Sequence, residues 1–283
     1  MEKTYKKEKE IKISRNELCP CNSGKIHKEC CLQKKHKYFT LGKNYEGKEI
    51  IFNNTKNMDI YDNIADYGLS NIFCLDDNEF LNLSNGLIVV KDIYTMADKG
   101  IEQFSSYAPC SKGCSHCCSL YLECTPVEAE LIRRHLKETR TEEELIEIKS
   151  YIDKINNNVR TADSPHNMKE EELRNMYHKY LKENNPCMFL NGEGACSIYE
   201  VRPLRCRSFI VFSSSEECIG HDEIVTPSLP PVYISNLVMD ALSTKIARFK
   251  KLSYRGKDGL EKPIKRCLVQ WFKNGFEDID RDL

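Results

Sequence analysis

The sequence predicts a mainly α-helical fold with small irregular or β knuckles formed around cysteines. Three observations lead there. Apolar residues recur at helical spacing over long stretches, and two segments open with a Thr-x-x-Glu start signal. No repeated strand–helix units are visible that would build a barrel or a parallel sheet. Fifteen cysteines in 283 residues fall into tight knots, and thiolates packed that densely repel each other unless a cation gathers them. Soft sulfur ligands select zinc, copper(I) or iron–sulfur clusters over hard cations. The expected architecture is an α-helical scaffold around a multi-cysteine metal site, with a small N-terminal zinc module.

The length leaves room for one large domain or two smaller ones, each with a proper core. A net charge of −1 gives no overall pull towards nucleic acid or an anionic membrane. The balance is uneven, because residues 1–37 hold eleven Lys/Arg against five Glu. The N-terminus therefore reads as a basic arm on a mildly acidic body. Met1-Glu-Lys-Thr-Tyr-Lys-Lys opens with charge and no apolar stretch follows, so no secretory leader is expected. No apolar run of about 18 residues would span a membrane. A reducing, cytoplasmic location follows as an expectation, and clustered cysteines there bind metal more often than they pair. The adjacent pairs Cys30-Cys31 and Cys117-Cys118 also suit disulfide geometry badly.

Taken in order, residues 1–14 are rich in Lys and Glu without an apolar face and are expected to be a disordered basic arm. Residues 15–37 contain Cys19-Pro-Cys21-Asn-Ser-Gly-Lys25, then Cys30-Cys31. Two cysteines on a turn and two on a following short helix suit a tetrahedral four-cysteine zinc site. Gly24 lets the chain reverse there, and the segment is so small that metal would supply its folding energy. These residues closely resemble the SEC-C motif, first recognised at the end of the SecA translocation ATPase. Asn22 replaces the motif's first glycine, and asparagine tolerates a left-handed backbone. The resemblance implies one zinc on Cys19, Cys21, Cys30 and Cys31, and docking to a protein partner through this basic module.

Residues 38–100 form an unassigned connecting region, with turns at Asn53-Asn54, Asn57 and Asp76-Asp77. Leu87 to Phe104 has helical spacing and would deliver the chain to Cys110. Cys74, Cys124 and Cys267 stand alone and read as small buried hydrophobes. A cysteine-cluster domain is expected over 101–225. Within it, Thr125-Pro-Val-Glu128 starts a helix to about Lys137, and Thr141 with Glu144 starts another to about Val159. A third covers roughly 169–182. Ser164-Pro165-His166 reads as a loop, and Asn191-Gly-Glu-Gly194 as a hairpin tip. C-terminal helices over 226–283 would pack on that domain, at about 232–251 and 264–276.

The chemistry concentrates in two stretches. The first is Cys110-x₃-Cys114-x₂-Cys117-Cys118. The second runs from Cys187 through Cys196-Ser-Ile-Tyr199-Glu-x-Arg202-Pro203-x-x-Cys206-Arg207, with Cys218 beyond. Together they supply up to eight sulfur ligands: enough for a closed structural zinc, for two zincs, or for an iron–sulfur cluster with cysteines to spare. Arg202 and Arg207 flank Cys206 and would either neutralise an anionic cluster and donate to sulfur, or pair with carboxylates such as Glu200. His116 reads as exposed loop and His221 as a weak ligand. These residues resemble the YkgJ-type cysteine-cluster family over about 107–220. Its Cys-x-x-Cys-x-x-Cys-Cys is widened here by one residue between Cys110 and Cys114. The resemblance implies a zinc- or iron-chelating domain.

Three function classes follow. The first is a metal-binding protein, zinc and/or iron–sulfur, with a docking module. The second is a protein-modifying enzyme, since a related cysteine pattern occurs in the flagellin lysine N-methylase family; no catalytic motif supports it, and no glycine-rich loop for S-adenosylmethionine is visible. The third is nucleic-acid association through Lys25, Lys28, Lys34, Lys35 and Lys37, for which interleaved aromatics are few.

Overall fold

The computed structural model describes residues 8–76, 78–111, 113–159, 161–220 and 226–279. In chain order, a short strand β1 (Lys9–Ile11) precedes a 3₁₀ turn at His27–Glu29 and a hairpin of β2 (Tyr38–Lys43) and β3 (Glu49–Asn53). Helices α1 (Asn54–Gly68) and α2 (Leu83–Glu102) follow, separated by a π turn at Leu69–Phe73. A 3₁₀ turn at His116–Ser119 leads to β4 (Glu123–Cys124) and then to α3 (Pro126–Thr139), α4 (Glu142–Asn158) and α5 (Glu170–Glu183). Short helices α6 (Leu204–Ser208) and α7 (Ser215–Gly220) precede α8 (Pro230–Thr244). The chain closes with β5 (Ser253–Arg255), β6 (Glu261–Pro263), β7 (Arg266–Cys267) and α9 (Leu268–Trp271). The fold is mainly helical with small strands, as expected from the sequence.

Two compact units divide the chain, and neither is continuous. The first comprises Met1–Gly68, Tyr94–Ser111 and Ser208–Ser235; the second comprises Leu69–Ile93, Lys112–Arg207 and Asn236–Leu283. The divisions expected at residues 37, 100 and 225 therefore do not mark the units. The N-terminal module is continuous with a three-stranded antiparallel sheet, β1-β2-β3, in which Ile11 pairs with Tyr38 and Tyr38 with Asn53. The expectation of disorder through residue 14 is corrected for residues 8–14; residues 1–7 lie outside the described residues. Ile11 and Ile13 are two apolar residues in a charged run, and both pack against the buried Cys19, Cys31 and Tyr38. That burial holds β1 on the edge of the sheet.

Asn44 builds the hairpin turn: its side-chain oxygen accepts from the amides of Glu46 at 3.1 Å and Lys48 at 2.9 Å. The asparagines expected to mark turns instead start a helix. Asn53 Oδ1 accepts from Lys56 N–H at 3.1 Å, a capping arrangement, and Asn57 is wholly buried. The first unit's core joins Leu41, Ile50 and Phe52 of the hairpin to Ile101 and Phe104 and to Ile210, Phe212 and Leu229. This is burial from three distant segments, which local reading of residues 38–100 does not reveal.

In the second unit both threonine-led boxes form. Thr125 and Glu128 cap α3, and Thr141 and Glu144 cap α4. Two C-terminal expectations are corrected. The helix expected to reach residue 251 stops at Thr244, where Ser243 and Thr244 hydroxyls bond back to main-chain carbonyls. The chain then leaves to bridge Leu81, whose N–H donates to Lys245 O at 2.8 Å. The helix expected over 264–276 is a strand followed by one turn. Arg266 and Cys267 pair with Cys124 and Glu123, and Leu268, Val269, Trp271 and Phe272 are all buried. A segment buried on every side has no solvent-facing period, so its apolar run imitates a helix face.

Candidate metal centres

The N-terminal centre is built by turns. Cys19 N–H donates to Lys25 O at 2.8 Å and Asn22 N–H to Cys19 O at 3.2 Å, which folds Cys19 and Cys21 into one knuckle. Asn22 and Gly24 take the left-handed backbone the knuckle requires, with φ of 59° and 73°. Cys30 and Cys31 follow the 3₁₀ turn at His27–Glu29 and sit just beyond it, not on it. All four sulfurs lie within 4.8 Å of one another, and this is the only such group of three or more ligand side chains among the described residues. The Sγ atoms of Cys21 and Cys30 are 3.4 Å apart, and those of Cys30 and Cys31 are 3.9 Å apart. Tetrahedral zinc with four sulfurs requires S···S separations of about 3.8 Å, so the donor set and its spacing fit that ion.

The four thiols are not equivalent. Burial pushes Cys21 up, but the Ser23 hydroxyl, the Cys19 thiol and main-chain donors outweigh it and bring Cys21 down to about 6. Burial and its neighbours' thiols hold Cys31 up at about 12. Cys31, held up in this way, must release its proton to become a ligand.

The central cysteines come from three pieces of the second unit. Cys117 lies on the turn at His116–Ser119, so His116 is half-buried at the start of that turn and not in an exposed loop. Cys187 and Cys196 stand on the two arms of a hairpin closed by the Leu190–Cys196 bridge and by Ser197 N–H donating to Phe189 O at 2.7 Å. Asn191 and Gly194 form its tip as expected, Gly194 with φ of 73°. Cys206 is carried by α6. Burial pushes Cys187 up to about 12, with Cys196 and Cys117 adding to the rise. Burial likewise raises Cys206, and Cys187, Cys117 and Cys196 act on it in turn. Cys117 is raised first by its hydrogen bond with Cys118 and then by burial. Four thiols, Cys117, Cys187, Cys196 and Cys206, therefore share one electrostatic environment, with Cys118 against the first of them.

The eight cysteines expected to gather fall in different places in the structure. Among the described residues, no three of the central sulfurs reach the mutual 4.8 Å closeness of the N-terminal four. Cys114 is half-buried in the loop before Cys117. Cys110, which is exposed, and Cys218, which is half-buried, belong to the first unit. Cys124 and Cys267 are buried as expected, on β4 and β7. Cys74 is exposed, contrary to its reading as core, and its thiol donates to Ser70 O at 3.0 Å. His221 lies outside the described residues.

Both arginines lie where their charge reaches the sulfurs. Arg207 is buried and donates to the main-chain carbonyls of Arg202 at 3.0 Å, of Tyr199 at 3.4 Å and of Glu200. Arg202 lies 4.0 Å from the Tyr199 ring centroid, and its buried Nε has no hydrogen-bond partner among the described residues. Both cations pull the Cys196 thiol down against its burial, and Arg202 does the same at Cys117. An orphaned donor beside buried thiols fits a site that takes on negative charge when its cysteines ionise.

Sequence reasoning missed Glu128 and Tyr38 as supports of these centres. Glu128 read only as a helix cap, yet its carboxylate also takes the N–H of Leu204 at 2.7 Å. The hydroxyl of Tyr38, on β2, lies 3.7 Å from Cys19 Sγ. Neither contact leaves a local sequence signal.

Residues 109–223 match the CxxCxxCC family model, described as a "putative zinc- or iron-chelating domain". Residues 15–33 match the SEC-C motif. No curated protein and no solved structure matches the chain. The SEC-C motif encloses the four sulfurs of the N-terminal centre, and the CxxCxxCC domain encloses the central cysteines. The two matches and the four-cysteine cluster make this a metal-binding protein. No helix among the described residues is long and apolar enough to cross a membrane.

Proposed function

We propose that the protein binds metal at two centres and uses its SEC-C motif to dock a protein partner. The observation that carries the reading is the closeness of the Cys19, Cys21, Cys30 and Cys31 sulfurs, all within 4.8 Å. There one zinc is held by four thiolates, closed to substrate and structural in role. In the CxxCxxCC domain, Cys117, Cys187, Cys196 and Cys206 hold zinc or an iron–sulfur cluster, with Arg202 and Arg207 offsetting the charge of the thiolates. Bound metal there supplies cross-linking of three chain segments and, if iron–sulfur, electron transfer.

Elemental analysis and an absorption spectrum of anaerobically purified protein test this. One zinc lost on Cys21→Ser supports the first centre, and a further metal lost on Cys206→Ser supports the second. Broad visible absorption assigns iron–sulfur chemistry to the second, and its absence with two zincs assigns zinc. Wild-type protein with no metal, or variants with undiminished metal, overturns the reading.

The docking role is supported by exposed apolar residues among cations. Leu18 is 71% exposed and Leu32 38%, and Arg15, Lys25, Lys34 and Lys35 are exposed around them in sequence. Crosslinked capture with wild type and Leu18→Asp tests it. A partner lost with the substitution supports docking at this face, and an identical captured set removes it.

A further inference from the structure

We propose that Tyr38 is a positioning residue of the N-terminal metal centre, donating a hydrogen bond from the sheet to the ligand sulfur of Cys19. The inference rests on the reading of Cys19, Cys21, Cys30 and Cys31 as metal ligands. It extends the centre beyond residues 15–33, where the SEC-C motif ends.

Tyr38 is 3% exposed, as buried as Cys19 and Cys31 at 4% each. Its hydroxyl lies 3.7 Å from Cys19 Sγ, within hydrogen-bond reach for sulfur, and it also interacts with Cys31. A buried tyrosine hydroxyl needs a polar partner, and here the partner is the buried Cys19 sulfur. In a metal-free chain either atom of the Cys19–Tyr38 pair can be the donor. A metal-bound thiolate carries no proton and only accepts, so ligation fixes the direction: the phenol donates and the sulfur receives. Such donors orient ligands and spread their charge, and they are a recurrent support of metal sites.

The position of Tyr38 gives the contact a second consequence. Tyr38 is on the central strand of the sheet, paired with Ile11 on one side and Asn53 on the other. Ile11, Ile13 and Ile51 pack on the same cluster as Cys19, Cys31 and Tyr38. The His27 ring stands edge-on to Tyr38 with centroids 5.9 Å apart, and its Nδ1 is 3.7 Å from the same Cys19 sulfur. The sheet and the metal knuckle thus share one buried core, and metal binding at the knuckle tightens β1, β2 and β3 with it.

The test compares full-length wild type, Tyr38→Phe and Ile51→Val in zinc titrations against a chromophoric chelator. Cys21→Ser marks which step belongs to this centre. Tyr38→Phe keeps the ring and removes only the hydroxyl, so it should lower zinc affinity by about 10- to 100-fold. It should also shift the sulfur-to-metal charge-transfer band of the cobalt(II)-substituted centre. Ile51→Val, which trims packing alone, should leave that band in place. A wild type without a zinc step at this centre would overturn the underlying reading. A wild type that binds zinc beside a Tyr38→Phe variant of equal affinity and unshifted band would overturn the Tyr38 assignment alone. Should Tyr38→Phe fail to fold, the zinc-bound wild type decides: a hydroxyl proton of Tyr38 protected from exchange supports the donor, and one exchanging freely with water overturns it.

Discussion

The carboxylate of Glu128 joins the start of α3 to the start of α6: its Oε1 accepts the main-chain N–H of Leu204 at 2.7 Å. Its other oxygen accepts from the amide and hydroxyl of Thr125, both at 2.9 Å. One buried side chain thus closes a helix cap and fixes the residue two places before Cys206. Glu128→Ala orphans the Leu204 amide and opens the cap, at about 2–4 kcal/mol for the two losses together. Glu144→Ala, in the exposed box of α4, costs about 0.5–1 kcal/mol. Urea unfolding of the two variants checks the contrast; equal losses would mean that the Leu204 contact adds nothing.

Gly194 sits at the hairpin tip with φ of 73°, and a Cβ there would stand 3.3 Å from the carbonyl oxygen of Gly113. Gly194→Ala therefore meets both a left-handed backbone penalty and a backbone contact that cannot move aside cheaply. The expected loss is about 1–2 kcal/mol, with a lower metal content at the central cysteines because the hairpin holds Cys187 and Cys196. Gly192, with open space at its Cβ position, is the control: Gly192→Ala should leave melting temperature and metal content close to wild type.

The helical class, the capped starts of α3 and α4, the hairpin tip and the four-cysteine knuckle were all legible in the sequence because each rests on residues within a few positions of one another. Thr125 and Glu128, or Cys19 and Cys21, announce their geometry locally. What stayed hidden depends on distant partners. Ile11 and Ile13 order a charged segment only because Tyr38 and the cysteines of the knuckle lie beneath them. Arg266 and Cys267 form a strand because Glu123 and Cys124 are there to pair. The assignment of Cys110 and Cys218 to the first unit is likewise a matter of which segments share a core, and no spacing rule encodes it.

Arg202 offers a direct measure of how much the cations matter. Its guanidinium lies against the Tyr199 ring, and it pulls on the thiols of Cys117 and Cys196. Arg202→Gln keeps a polar group of similar reach and removes the charge, so the central metal should bind about 10- to 100-fold more weakly. Tyr199→Phe keeps the ring face and should change affinity little. Competition with a graded series of chelators reads both. An Arg202→Gln variant that holds metal as tightly as wild type would return the arginine to a purely structural role.

The raised central thiols set the direction of two pH effects. Burial holds Cys187 at about 12 against an ordinary thiol value of 9.0, and it raises Cys206 in the same sense. At neutral pH the metal-free thiols are protonated, so each one that becomes a ligand must release a proton. Metal affinity should therefore rise with pH, and loading metal into weakly buffered protein should acidify the solution. The metal-free protein follows the opposite course. A folded state that holds these protons more tightly than the unfolded chain keeps their full stabilising contribution below about pH 9 and loses it as pH climbs towards about 12. Denaturant midpoints of chelator-treated protein should fall across that window, while Cys187→Ser, lacking the raised thiol, should fall less. A metal-free midpoint that stays flat from pH 9 to 12, or metal loading without proton release, would show that these thiols are already ionised in the folded chain.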